Sequence, residues 1–260
     1  QRSMIKTLLF LLLSFVVTGQ AKPLRVFILA GQSNMEGHAK VETFDYIGDD
    51  PATAPLLQQM RGADGKRVVC RNTWISYLTG MGEEQGEGLG RLTAGYGARQ
   101  QPGKDGGKIG PEFTFGLTME AAFEEPVLII KTAWGGKSLN VDFRPPGAAA
   151  PRGGVVGPYY KALIDYTRDC VSNLGTEFPE WKGMGYRIAG IGWHQGWNDR
   201  VNAAYSAAYE TNMANFINNI RTDLSVPNMP VVIATAAMDA YAGYSEVELA
   251  QLKMANPTAY

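Results

Sequence analysis

The segment Val26-Phe27-Ile28-Leu29-Ala30-Gly31-Gln32-Ser33-Asn34-Met35-Glu36-Gly37 places a serine just past an apolar run. A hydroxyl at the mouth of a buried parallel strand stands where open α/β sheets put reacting or ligand-binding groups. Gly31 allows a tight turn before it, and a helix opening after it would aim backbone N–H groups at an oxyanion. The chemistry implied is acyl transfer through Ser33; the competing reading is a serine that only caps the helix. A serine nucleophile also needs a base and further oxyanion donors. Gly135-Gly136 follows the apolar run Val127–Thr132, and Gln195 follows Arg187–Trp193. A glycine lets its backbone approach a substrate closely, and a glutamine amide donates hydrogen bonds without losing its proton. An ordinary turn and a polar strand terminus are the alternative readings of these two positions.

The base is harder to place. The chain has two histidines, His38 and His194. A helix opening at Asn34 would carry His38 about 140° round from Ser33. His194 and Gln195 are neighbours on a strand end and leave on alternate faces, so they do not easily face Ser33 together. Trp193, His194 and Trp197 make an aromatic neighbourhood suited to the apolar faces of sugars, or equally to a core.

Gly31-Gln32-Ser33-Asn34-Met35 resembles the nucleophile block of the SGNH (GDSL-like) hydrolases, in the branch of sialate O-acetylesterases and family 6 carbohydrate esterases. Lys131-Thr132-Ala133-Trp134-Gly135-Gly136-Lys137-Ser138-Leu139 and Gly192-Trp193-His194-Gln195-Gly196 fit the same branch in the right order. The resemblance covers the chain from about residue 24 onward. It differs from the α/β-hydrolase elbow, which needs Gly where Met35 stands. The resemblance implies a three-layer α/β/α fold with a flavodoxin-like parallel sheet. It implies Ser33 as nucleophile and an oxyanion hole of the Ser33 N–H, the Gly136 N–H and the Gln195 amide. Gln32, Asn34, His194 and Trp197 are expected to line a substrate cleft. The implied substrate is an O-acetylated carbohydrate, of sialic acid or xylan type, with no metal and no cofactor. Members of the branch often carry an acidic residue at the position of Trp197, which leaves the purpose of Asp199 open. They also end in an Asp-x-x-His block that supplies the base. Met35 and Ile191 stand three residues before His38 and His194, so neither histidine fits it. The expectation is a chain incomplete at its C-terminus, with the base beyond residue 260. A carbohydrate-binding protein of the same fold without catalysis is the rival reading.

The elements that must position these residues alternate in type. Strands are expected at Leu24–Ala30, Val127–Thr132, Arg187–Trp193 and Val231–Thr235, with apolar runs suited to parallel strands covered on both faces. Helices are expected at Pro111–Phe123, Tyr159–Leu174, Asn202–Leu224 and Ser245–Met254. Gly-rich residues 80–110 and Pro/Gly/Ala-rich residues 144–158 read as loops. The length of 260 residues, 45% hydrophobic and 19% charged, fits one globular domain over residues 22–260. A net charge of −1 gives no reason to expect nucleic acid as a partner. Residues 1–21 read as an export signal: Met4 as start, Lys6, an apolar run from Leu8 to Val17, and cleavage after Ala21. That run is too short for a membrane span, so a secreted or periplasmic protein without stable membrane insertion is expected. Cys70 and Cys170 permit a disulfide without requiring one.

Overall fold

The computed structural model describes residues 22–79, 86–98, 107–235 and 243–256. Six strands form one sheet: β1 (Leu24–Gly31), β2 (Val69–Thr79), β3 (Gly86–Thr93), β4 (Val127–Ala133), β5 (Tyr186–His194) and β6 (Val231–Ile233), in the order β3-β2-β4-β1-β5-β6. All neighbours pair in parallel except β2 and β3, which are antiparallel. The fold is thus the expected α/β class, with an antiparallel edge on a mostly parallel sheet. Every residue of β4 is buried, as befits a central strand covered on both faces.

The helices that matter for the site are α1 (Ser33–Glu36), α2 (Pro111–Ala122), α3 (Pro158–Ser172), α4 (Trp197–Arg200), α5 (Ala203–Asp223) and α6 (Glu246–Met254). Pro111 and Pro158 sit in the first turns of α2 and α3, where a missing N–H costs nothing. Ser245 and Glu248 close a capping box on α6. Alternation along β1 divides the core. Ile28 and Ala30 pack with Tyr160 and Leu163 of α3, Tyr209 and Phe216 of α5, and Val247 of α6. Leu29 faces the opposite way, with Phe113 of α2 and Ile129 of β4.

Two expectations are corrected. Residues 80–110 do not form one long loop, because β3 runs through Gly86–Thr93 and pairs with β2, a strand not anticipated from composition. Residues 144–158 contain short helical turns at Pro146–Ala149 and Ala150–Arg152. Cys70 and Cys170 are free and buried in different core clusters, and burial pushes both thiols up to about 12. The expected export signal lies outside the described residues. Among the described residues no helix is long and apolar enough to cross a membrane.

Candidate active site

Three strand ends meet at Ser33, and main-chain hydrogen bonds past the sheet hold them together. The Trp134 N–H donates to the Gly31 carbonyl (3.1 Å), joining β4 to β1, and the Gln32 N–H donates to the His194 carbonyl (3.1 Å), joining β1 to β5. Gly31 is required there, because a Cβ would lie 2.2 Å from the His194 oxygen. Ser33 then opens α1, which lasts four residues. Gly37, at φ +88°, ends it where any Cβ would strike Gly110 backbone at 2.4 Å.

Ser33 is partly exposed, and its Cβ lies 3.9 Å from the place a Cβ on Gly135 would occupy. The Ser33 side chain therefore faces the turn that follows β4. Gly136 in that turn is exposed at φ +73°. Among the described residues, neither the Ser33 nor the Gly136 N–H has a hydrogen-bond acceptor. Two unclaimed donors on adjoining strand ends can receive an oxyanion.

Gln195 does not present its amide to this opening. It is buried, its Nε2 donates to Asp199 Oδ2 (2.6 Å) and the Lys137 carbonyl (3.0 Å), and its Oε1 accepts from the Tyr209 hydroxyl (3.0 Å). The Tyr209 hydroxyl in turn accepts from Trp193 Nε1 (3.3 Å) and Gln251 Nε2 (3.1 Å). This chain of bonds uses both Gln195 N–H groups within the protein, so the expected third oxyanion donor is occupied. Gln32, expected at the cleft, is also turned inward. Its Oε1 accepts from the Gly196 and Asn198 N–H groups (3.1 and 3.4 Å), and its Nε2 donates to Asn198 Oδ1 (3.2 Å). It braces the loop opening α4.

Asn34 is exposed beside Ser33, and Trp197 is 42% exposed on the loop that Gln32 braces. The Arg200 guanidinium sits 5.3 Å over the Trp197 ring. His194, also expected at the cleft, instead lines an apolar cavity of about 320 Å³ with Phe27, Leu29, Met35 and Phe115. Burial there holds its imidazole below the ordinary histidine range of 6.5. His38 does not continue α1, because Gly37 turns the chain back and brings its Nε2 to 3.2 Å from Glu36 Oε2. Neither histidine hydrogen-bonds to Ser33 among the described residues.

Lys131 was not singled out in the sequence, and the purpose of Asp199 was left open there. Lys131, wholly buried in β4, donates to Glu112 Oε2 (2.7 Å), the Glu36 carbonyl (2.8 Å) and the Tyr96 carbonyl (2.8 Å), and so supports α1 from below. Burial lowers the Lys131 ammonium against the opposing pull of Glu112. Asp199, fully buried, accepts the Leu139 and Asn140 N–H groups (2.7 and 2.9 Å) besides Gln195, and burial still raises its carboxyl above the usual range. A lone lysine in the run Val127-Leu128-Ile129-Ile130-Lys131 was the available signal, since a buried ammonium demands a partner.

A family model described as carbohydrate esterase, sialic acid-specific acetylesterase, matches residues 23–260. Among solved structures, the chain is similar to a protein of Arabidopsis thaliana at 19% identity and TM-score 0.53, covering 89% of this chain and 81% of that one. It is also similar to a carbohydrate acetylesterase of Xanthomonas citri at 14% identity and TM-score 0.53, covering 88% and 46%. A third neighbour is NanS, at 14% identity and TM-score 0.50, covering 82% and 68%. No curated protein sequence matches. The structural likenesses support the fold, and the family match spans every strand that converges on Ser33. The chain belongs to the family of carbohydrate esterases described as sialic acid-specific acetylesterases.

Proposed function

We propose that the protein is an exported carbohydrate O-acetylesterase working through a serine acyl-enzyme. One observation carries this reading: Ser33 faces a turn whose Gly136 N–H, like its own, is unclaimed among the described residues. Ser33 Oγ attacks the acetyl carbonyl, the oxyanion is held by the Ser33 and Gly136 N–H groups, and the sugar hydroxyl leaves. Water then attacks the acetyl-serine and releases acetate. Gln195 joins the hole only by giving up one of its two acceptors, so in this arrangement it anchors the turn. Among the described residues neither His38 nor His194 hydrogen-bonds to Ser33, and His38 Nε2 is instead 3.2 Å from Glu36 Oε2. The Ser33 proton passes to the leaving sugar oxygen through a general base of the kind that the family's Asp-x-x-His block supplies; neither histidine of residues 22–260 lies in such a block. The exposed Trp197 ring offers an apolar face to the sugar, and Asn34 offers an amide beside it. In the full-length protein, Ser33→Ala should abolish acetate release from O-acetylated sialic acid and acetylated xylan. Release at the wild-type rate from either substrate would refute the assignment.

A further inference from the structure

Two buried carboxylates hold the turn after β4 from its two ends. At its start, Glu36 Oε2 accepts the Gly135 N–H at 2.8 Å. At its end, Asp199 accepts the Leu139 and Asn140 N–H groups at 2.7 and 2.9 Å. The Glu36 side chain is 1% exposed and Asp199 is fully buried. Gln195 adds a tie in the middle, taking the Lys137 carbonyl with one N–H and Asp199 Oδ2 with the other. Between these anchors lies Gly136, exposed, with its N–H unclaimed among the described residues.

The peptide group is planar, so each fixed N–H or carbonyl fixes a whole plane. Glu36 sets the plane entering Gly135; Gln195, itself held by Asp199, sets the plane leaving Lys137 together with Asp142, whose Oδ2 accepts the Ser138 N–H at 2.8 Å. Only the two planes around Gly136 remain, and a glycine between fixed neighbours has little freedom left in them. The two anchors come from different strand ends, Glu36 from α1 after β1 and Asp199 from α4 after β5. The direction of the Gly136 N–H is therefore referred to both. Burying carboxylates is costly unless hydrogen bonds compensate, and here the N–H groups of the turn supply much of that compensation.

We infer that Glu36 and Asp199 are positioning residues that bracket the turn after β4 and fix the Gly136 N–H relative to Ser33. The inference rests on the acyl-transfer reading for its catalytic consequence. It is tested in the full-length protein with three variants. Glu36→Gln keeps a carbonyl acceptor for Gly135, Glu36→Leu removes it at similar bulk, and Asp199→Asn turns one acceptor into a donor facing other donors. Glu36→Gln should stay within about threefold of the wild-type kcat, whereas Glu36→Leu and Asp199→Asn should lose about 10–100-fold at nearly unchanged KM, part of the ~10²–10³ that a lost oxyanion donor costs. Labelling of Ser33 by a fluorophosphonate, whose phosphoryl oxygen takes the oxyanion position, should slow in parallel. Hydrogen exchange should accelerate at Leu139 and Asn140 in Asp199→Asn and at Gly135 in Glu36→Leu, with unfolding midpoints above the assay temperature. The inference is overturned if Glu36→Gln falls as far as Glu36→Leu, if only KM moves, or if exchange in the turn is unchanged. Should Asp199→Asn not fold, the Glu36 pair decides. A wild-type protein that neither releases acetate nor takes the label refutes the acyl-transfer reading and the catalytic part of this one, while the exchange pattern still decides the bracket.

Discussion

Replacing Lys131 by Met removes a charge from the middle of the sheet while keeping most of the side chain's volume. The ammonium has three acceptors: Glu112 Oε2 at 2.7 Å, and the Glu36 and Tyr96 carbonyls at 2.8 Å each. Both side chains of the ion pair are 0% exposed. After the substitution, Glu112 keeps the Gly110 N–H at 2.9 Å but loses its cation. Removing one partner of a buried pair costs about 3–5 kcal/mol. Each carbonyl that loses its donor adds roughly 1 kcal/mol or more. The expected loss for Lys131→Met is therefore about 5 kcal/mol, comparable with the whole stability of many domains. Glu112→Gln in the same chain removes the stranded charge and still accepts from Gly110, so the double variant should recover roughly 2–3 kcal/mol. Urea unfolding followed by tryptophan fluorescence measures all four corners of this cycle. A Lys131→Met loss below about 1 kcal/mol, or a double variant no more stable than the single, would refute the reasoning.

Two further outcomes follow from the same geometry. Gly31→Ala puts a methyl 2.2 Å from a backbone oxygen that cannot rotate aside, and a loss above about 3 kcal/mol is expected, read as soluble yield and unfolding midpoint; a stable, active Gly31→Ala protein would contradict it. The folded imidazole of His194 titrates below 6.5, so its unfolded form binds the proton first as pH falls. The stability that His194 contributes is thus complete above about pH 6.5 and is lost on acidification toward its lower folded value. His194→Phe, which suits the apolar cavity, should flatten the stability profile as pH falls below 6.5, and an unchanged slope would count against it.

The strands that carry the site were legible because their ends are abrupt. Apolar runs lead into Gly31, Ala133 and His194, broken in β4 by Lys131 and Thr132, and α2 and α3 open on prolines. The β2–β3 pair was not, because β2 carries Arg71, Asn72, Thr73 and Ser76, and β3 carries Gly86, Gly88 and Gly90. Glycine there reads as a loop, yet at Gly88 it makes room for the Tyr77 ring, which a Cβ would meet at 2.5 Å. Ser33 and Gly136 were accessible from motif and spacing, while the commitments of Gln32 and Gln195 were not. An amide's two ends are assigned by partners such as Tyr209 and Asn198, which lie far from it in sequence. The path to His38 was not legible for a similar reason: the chain leaves α1 at Gly37, whose positive φ brings His38 back to Glu36, and His38 makes no hydrogen bond to Ser33 among the described residues.

The bonds from Trp134 to Gly31 and from Gln32 to His194 are made by main-chain atoms alone. Any residue except proline can donate such a bond, so the seams joining the three strand ends are indifferent to most substitutions along them. A site stitched in this way can drift far in composition while Ser33 keeps its address. That suits a fold still shared with neighbours only 14–19% identical. It also separates two kinds of change available to this protein: side chains around the opening can be exchanged to suit other sugars, whereas Gly31 cannot be exchanged, because there the neighbouring main chain occupies the space of a side chain.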